Sequence, residues 1–105
     1  MNDLAEGVIE QEVVAEVKVS LKPPSLYNVL MHNDDFTPME FVVEVLEAFF
    51  NKDHTLATKT MYEIHTMGKA VCGTYSKDVA YTKINQVMVY AEQHDHPLLC
   101  SAEMS

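Results

Sequence analysis

Arginine and tryptophan are absent from this 105-residue sequence, and glycine and cysteine are scarce, at three and two residues. Each shortage removes a class of function. Without arginine, the 7 basic residues are all lysine and face 16 acidic ones, giving a formal charge of −9. Nucleic acid and anionic membrane surfaces would be repelled by such a chain, so neither is an expected partner. Three glycines leave no phosphate-cradling loop and no glycine-flanked nucleophile elbow, and no HExxH string occurs. Cys72 and Cys100 each sit in an apolar run (AVCG, PLLC), which reads as two buried thiols rather than a disulfide scaffold or a CxxC metal clamp. Long apolar runs of about 18 residues are missing too, so no membrane span is expected. The opening MNDLAEGVIEQEVV is acidic where a signal peptide would be basic, and a cytoplasmic location is the expectation.

What is present, with 48% hydrophobic residues, suffices for one small α/β (α+β) domain. Over the first 20 residues Asp3, Glu6, Glu10, Glu12 and Glu16 stand against Lys18 alone, which predicts a flexible acidic N-terminal extension over residues 1–22 and a core domain over 23–105. After Pro23-Pro24, the run LYNVLMH (26–32) has strand composition. Thr37-Pro38-Met39-Glu40 is a capping-box signature that predicts a helix over 37–50, with Thr37 as cap and Pro38 in the first turn. Its inner face would hold Phe41, Val42, Val45, Leu46 and Phe49. A second helix is predicted over 54–67, capped by Asp53 and ended by Gly68. A strand over 69–75 follows, then a helix capped by Ser76 with Val79, Ile84, Val87, Met88 and Ala91 inward, and a last strand over 98–102 after His96-Pro97. The order strand-helix-helix-strand-helix-strand predicts helices packed against a three-stranded antiparallel sheet.

The densest polar cluster, Asn33-Asp34-Asp35, falls between a strand end and a helix start. It reads as a turn, or as an acceptor cluster for a cation or ammonium group; a twelve-residue calcium loop has no space before the apolar helix. His65 shares a helix with Met61 and Ile64. Asp34, Asp35 and His65 could also serve a small metal-dependent hydrolase, the alternative carried forward. His94 and His96 form only an HxH pair, and no cofactor or metal is expected.

The stretch LYNVLMHNDDFTPMEFVVEVL, then IHTMGKAVCGTYS, the A-x-TK element at Ala80–Lys83 and the late HPLLC closely resemble the ClpS family. These bacterial adaptors deliver N-degron substrates to the ClpA unfoldase of the ClpAP protease. The resemblance spans roughly residues 21–104 and implies a monomeric, non-enzymatic domain that binds proteins beginning with a free Leu, Phe, Tyr or Trp. It implies that Asn33, Asp34 and His65 receive the substrate α-amino group. It also implies a side-chain pocket of Met31, Pro38, Met39, Val42, Met61, Ile64 and Leu98, methionine being an adaptable lining. Asp78 and Lys83 match the unfoldase-docking positions. His32, Phe36 and Tyr81 depart from the residues common in the family.

Overall fold

Residues 24–105 are described in a computed structural model of the chain, so the predicted extension over 1–22 lies outside the described residues. Three strands and three helices alternate in the expected order: β1 (Leu26–His32), α1 (Met39–Phe50), α2 (His54–Met67), β2 (Lys69–Ser76), α3 (Lys77–Gln93) and β3 (Leu99–Met104). The sheet is antiparallel with order β2-β1-β3.

Strand alternation decides which face of β1 meets the helices. Val29 and Met31 are fully buried in the core, with Tyr27 packed at its margin. The intervening residues point the other way and pair across the sheet: Asn28 Oδ1 accepts from Thr74 Oγ1 at 2.7 Å, and His32 Nε2 lies 2.7 Å from Ser101 Oγ. The β1–β2 register slips between Val29 and Leu30, which leaves Cys72 without a partner across the ladder, as in a β-bulge. Gly73 follows at once, and a Cβ there would meet the hydroxyl end of the Tyr75 ring, which packs over the glycine.

Helix α1 begins differently from the capping-box expectation. Pro38 is its cap, in an extended conformation, and its carbonyl accepts from the N–H groups of Phe41 and Val42. Thr37 lies outside the helix because its N–H and hydroxyl are both taken by Asp34, three residues upstream. Asp53 does cap α2, accepting from Leu56 N at 2.8 Å, and Gly68 ends it at φ 90°. Ser76 precedes α3 without a side-chain cap bond, and the inner face of that helix uses Ala80, Val87 and Ala91. Val79, expected inward, is exposed. The last strand starts one residue later than expected and runs to Met104.

One core joins the sheet to the helices, centred on Val29, Met31, Val45, Leu46, Ala57 and Val87. Cys72 and Cys100 belong to it, and burial pushes each thiol up to about 12, for Cys72 with help from the neighbouring Cys100. Lys83 ties two helices together: its Nζ donates to the Phe49 carbonyl in the last turn of α1 at 2.9 Å and stands 5.4 Å from the Tyr75 ring centroid. Among the described residues no helix is long and apolar enough to cross a membrane.

Candidate functional site

The loop between β1 and α1 is organised by one carboxylate. Asp34 Oδ1 accepts from Phe36 N (2.8 Å) and Thr37 N (2.7 Å), while Oδ2 accepts from Thr37 Oγ1 (2.8 Å). This is an Asx turn extended by a hydroxyl, the local competition that draws Thr37 away from capping the helix. Burial pushes the Asp34 carboxyl upward, but the Thr37 hydroxyl, the two N–H groups and the nearby His96 outweigh it and hold it below the ordinary carboxylate value. Asp34 is therefore a fixed negative charge at neutral pH. A second tie, Asn33 N donating to the Gly68 carbonyl at 2.9 Å, draws the loop onto the C-terminal end of α2, where His65 lies.

Loop, α1 and α2 together enclose a cavity of about 260 Å³. Asn33, Asp34, Asp35, Thr37 and His65 contribute its polar lining; Met39, Val42, Met61 and Ile64 contribute its apolar lining. Val42, Met61 and Ile64 are buried, whereas Met39, in the first turn of α1, is 42% exposed at the mouth. Such a cavity suits a molecule that joins a cation to an apolar side chain: the charge meets Asp34 and its directed neighbours, and the apolar part leaves water.

The structure brings together seven of the expected site residues, namely Asn33, Asp34, His65, Met39, Val42, Met61 and Ile64. Met31, Pro38 and Leu98, expected in the side-chain pocket, do not line the cavity. Met31 is fully buried in the core, because β1 alternation places it on the same face as Val29. Pro38 spends its position starting α1, and Leu98, also a core residue, borders a separate recess between α3 and β3. Asp35 and Thr37 also line the cavity: Asp35 belongs to the polar cluster that reads as an acceptor for a cation or ammonium group, though not to the residues the resemblance gives the α-amino group, and Thr37 reads from the sequence only as a helix cap. Asp78 is exposed in the first turn of α3, but the Lys83 ammonium is engaged inside the molecule by the Phe49 carbonyl.

The arrangement does not support the metal-dependent hydrolase. Among the described residues no three His, Cys, Asp or Glu side chains converge on a metal-sized site.

Residues 22–101 match the protein family described as ATP-dependent Clp protease adaptor protein ClpS. The chain is 49% identical over 92 residues to the ATP-dependent Clp protease adapter protein ClpS of Vibrio atlanticus, covering 88% of this chain and 87% of that protein. It is 47% identical over 94 residues to the ClpS of Vibrio cholerae, covering 90% of this chain and 89% of the relative. Among solved structures, Agrobacterium tumefaciens ClpS2 bound to L-phenylalaninamide superposes with a TM-score of 0.77 at 34% identity, covering 79% of this chain and all of that one.

Proposed function

The chain belongs to the ClpS family of Clp protease adaptors, and from that premise we propose how its cavity works. It is an adaptor, not an enzyme. It binds the free N-terminus of proteins beginning with Leu, Phe, Tyr or Trp and delivers them, as a monomer in the cytoplasm, to the ClpA unfoldase of ClpAP. One observation carries the reading at the level of this chain: a pinned, ionised Asp34 and an apolar wall of Met39, Val42, Met61 and Ile64 share one cavity.

Only an N-terminal residue offers an ammonium group and a side chain that enters end-on from the same Cα. Asp34 supplies the charge, and Asn33 and His65 supply directed hydrogen bonds to the ammonium. The side chain enters between the two methionines, whose flexible thioethers fit aliphatic and aromatic guests alike. Phenylalaninamide, the ligand of the Agrobacterium relative, has this combination of groups. Unfoldase docking is assigned to the exposed start of α3 around Asp78, with Lys83 holding that helix against the end of α1. The acidic segment 1–22 is assigned to delivery and residues 23–105 to recognition.

Binding of a Leu- or Phe-initiated peptide and of its N-acetylated copy, measured with a chelator present, tests the reading. The free peptide should bind and the acetylated copy should not, because acetylation removes the charge. Equal affinity for the two would overturn it. Deleting residues 1–22 should leave peptide affinity unchanged and slow degradation of a Leu-initiated protein by ClpAP; unchanged degradation would refute the division of labour.

A further inference from the structure

Six of the seven methionines lie among the described residues, and two of them, Met39 and Met61, line the same cavity. Their access to water is opposite. Met61, on α2, is 6% exposed, whereas Met39, in the first turn of α1, is 42% exposed. Of the others, Met31 is fully buried and Met88 packs against the core, while Met67 and Met104 are more exposed than Met39 but line no part of the cavity. Met39 is thus the one methionine among the described residues that a dissolved reagent reaches and that a guest in the cavity touches. Cys72 and Cys100 are buried thiols with almost no thiolate near neutral pH, so an oxidant is left to the methionines.

We propose that the Met39 thioether is a peroxide-sensitive modification site, whose oxidation to the sulfoxide lowers the affinity of the cavity for substrate N-termini until a methionine sulfoxide reductase restores it. This regulation presupposes the N-terminus-binding reading above. The sulfur lone pair attacks one oxygen of hydrogen peroxide and the O–O bond breaks. A proton passes from the new S–OH group to the departing hydroxide, leaving sulfoxide and water. Sulfur loses two electrons and the peroxide gains them, so no other co-reactant is needed. The product replaces a soft apolar lip with a strongly polar acceptor. An entering aliphatic or aromatic side chain strips water from that oxygen, and the side chains of Val42, Met61 and Ile64 hold no donor to replace it. The Thr37 hydroxyl is already committed to Asp34, and Asn33 and His65 are assigned to the ammonium. A bound N-terminus covers Met39, so oxidation acts on the free adaptor first.

The test uses the full chain, a limiting dose of hydrogen peroxide, mass-spectrometric mapping of sulfoxide at each methionine, and calorimetric affinities for phenylalaninamide and a Leu-initiated peptide. Sulfoxide should accumulate at Met39, Met67 and Met104 well ahead of Met31 and Met61, and saturating phenylalaninamide should slow it at Met39 alone. Affinity for both probes should fall about three- to tenfold once Met39 is oxidised, and the reductase should restore it. In Met39→Leu, whatever its starting affinity, peroxide should change affinity by less than about twofold. In Met67→Leu combined with Met104→Leu the full loss should remain. Resistance of Met39 to a dose that oxidises Met67 and Met104, equal oxidation of Met39 with and without phenylalaninamide, or an equal loss of affinity in Met39→Leu overturns the site. So does a loss that persists after Met39 has been reduced, because it reports damage elsewhere. If phenylalaninamide fails to bind the untreated protein, the underlying reading falls; if it binds and oxidation of Met39 leaves its affinity unchanged, only the modification site falls.

Discussion

Two recesses in this molecule are made from similar side chains and differ in what they can hold. The cavity between the β1–α1 loop, α1 and α2 has about 260 Å³; the recess between α3 and β3 has about 650 Å³ and is lined by Met88, Val89, Leu98 and Leu99 together with Glu92, Asp95 and His96. Both combine carboxylates with methionine and aliphatic groups. In the smaller one the carboxylate is pinned by three hydrogen bonds and the apolar wall is mostly buried. In the larger one Glu92, Asp95, Val89 and Leu99 are exposed, and the two carboxylates have no side-chain hydrogen bond among the described residues. Preorganisation separates a binding site from a dent: groups already fixed and desolvated lose little on meeting a ligand, whereas a mobile carboxylate in water gains little.

The comparison is tested most severely in the core. Met31→Ala should lower the unfolding free energy by about 2–5 kcal/mol in denaturant titrations, because the core would lose a fully buried side chain. A cost no greater than that of Met39→Ala would mean that the buried Met31 is no better packed than the exposed side chain at the mouth. Next in size is Asp34→Asn, which removes the charge and mismatches the Thr37 hydroxyl; peptide affinity should fall roughly 10- to 100-fold. Because the native Asp34 value lies below the ordinary one, its contribution to stability is complete above about pH 4 and is lost as pH falls through the native value. The unaltered protein should therefore show an acid-side loss of stability below about pH 4 that shrinks in Asp34→Asn.

A smaller effect is expected at the mouth. Met39→Ala should admit peptides beginning with Val or Ile, improving their affinity about tenfold relative to Leu, because the side chain at the first turn of α1 crowds branching at Cβ. Identical peptide preferences in the variant and the unaltered protein would remove Met39 from this role. The smallest effect belongs to the open recess. Glu92→Gln combined with Asp95→Asn should leave peptide affinity within about twofold, exposed unpaired charges being worth little. A larger change would erase the distinction between the two recesses.

Much of this was legible in the sequence, and the misses have local causes. The bounds of β1 and α2 follow from composition, helical period and two real signals, the Asp53 cap and the terminal Gly68. The start of α1 was misread because Thr37-Pro38-Met39-Glu40 satisfies a capping box, while Asp34 takes the same hydroxyl from upstream. For Met31 the resemblance implies a place in the pocket, while period-two alternation from Val29 directs the side chain into the core. The end of β3 and the exposure of Val79 depend on sheet register and helix rotation, which are set by tertiary packing and carry little local signal. The cavity's polar side was readable as a cluster. Its closure was not, because that requires the Asn33–Gly68 bond between segments 35 residues apart in the chain.

The two buried thiols make the molecule its own stopwatch. With Cys72 and Cys100 pushed up to about 12, almost no thiolate exists near neutral pH while the sheet is closed. Alkylation then proceeds only through moments when β2 or β3 parts from the helices, so its rate counts those openings without any introduced label. The thiols report from opposite sides of β1, and comparing their modification rates tells which edge of the sheet opens first.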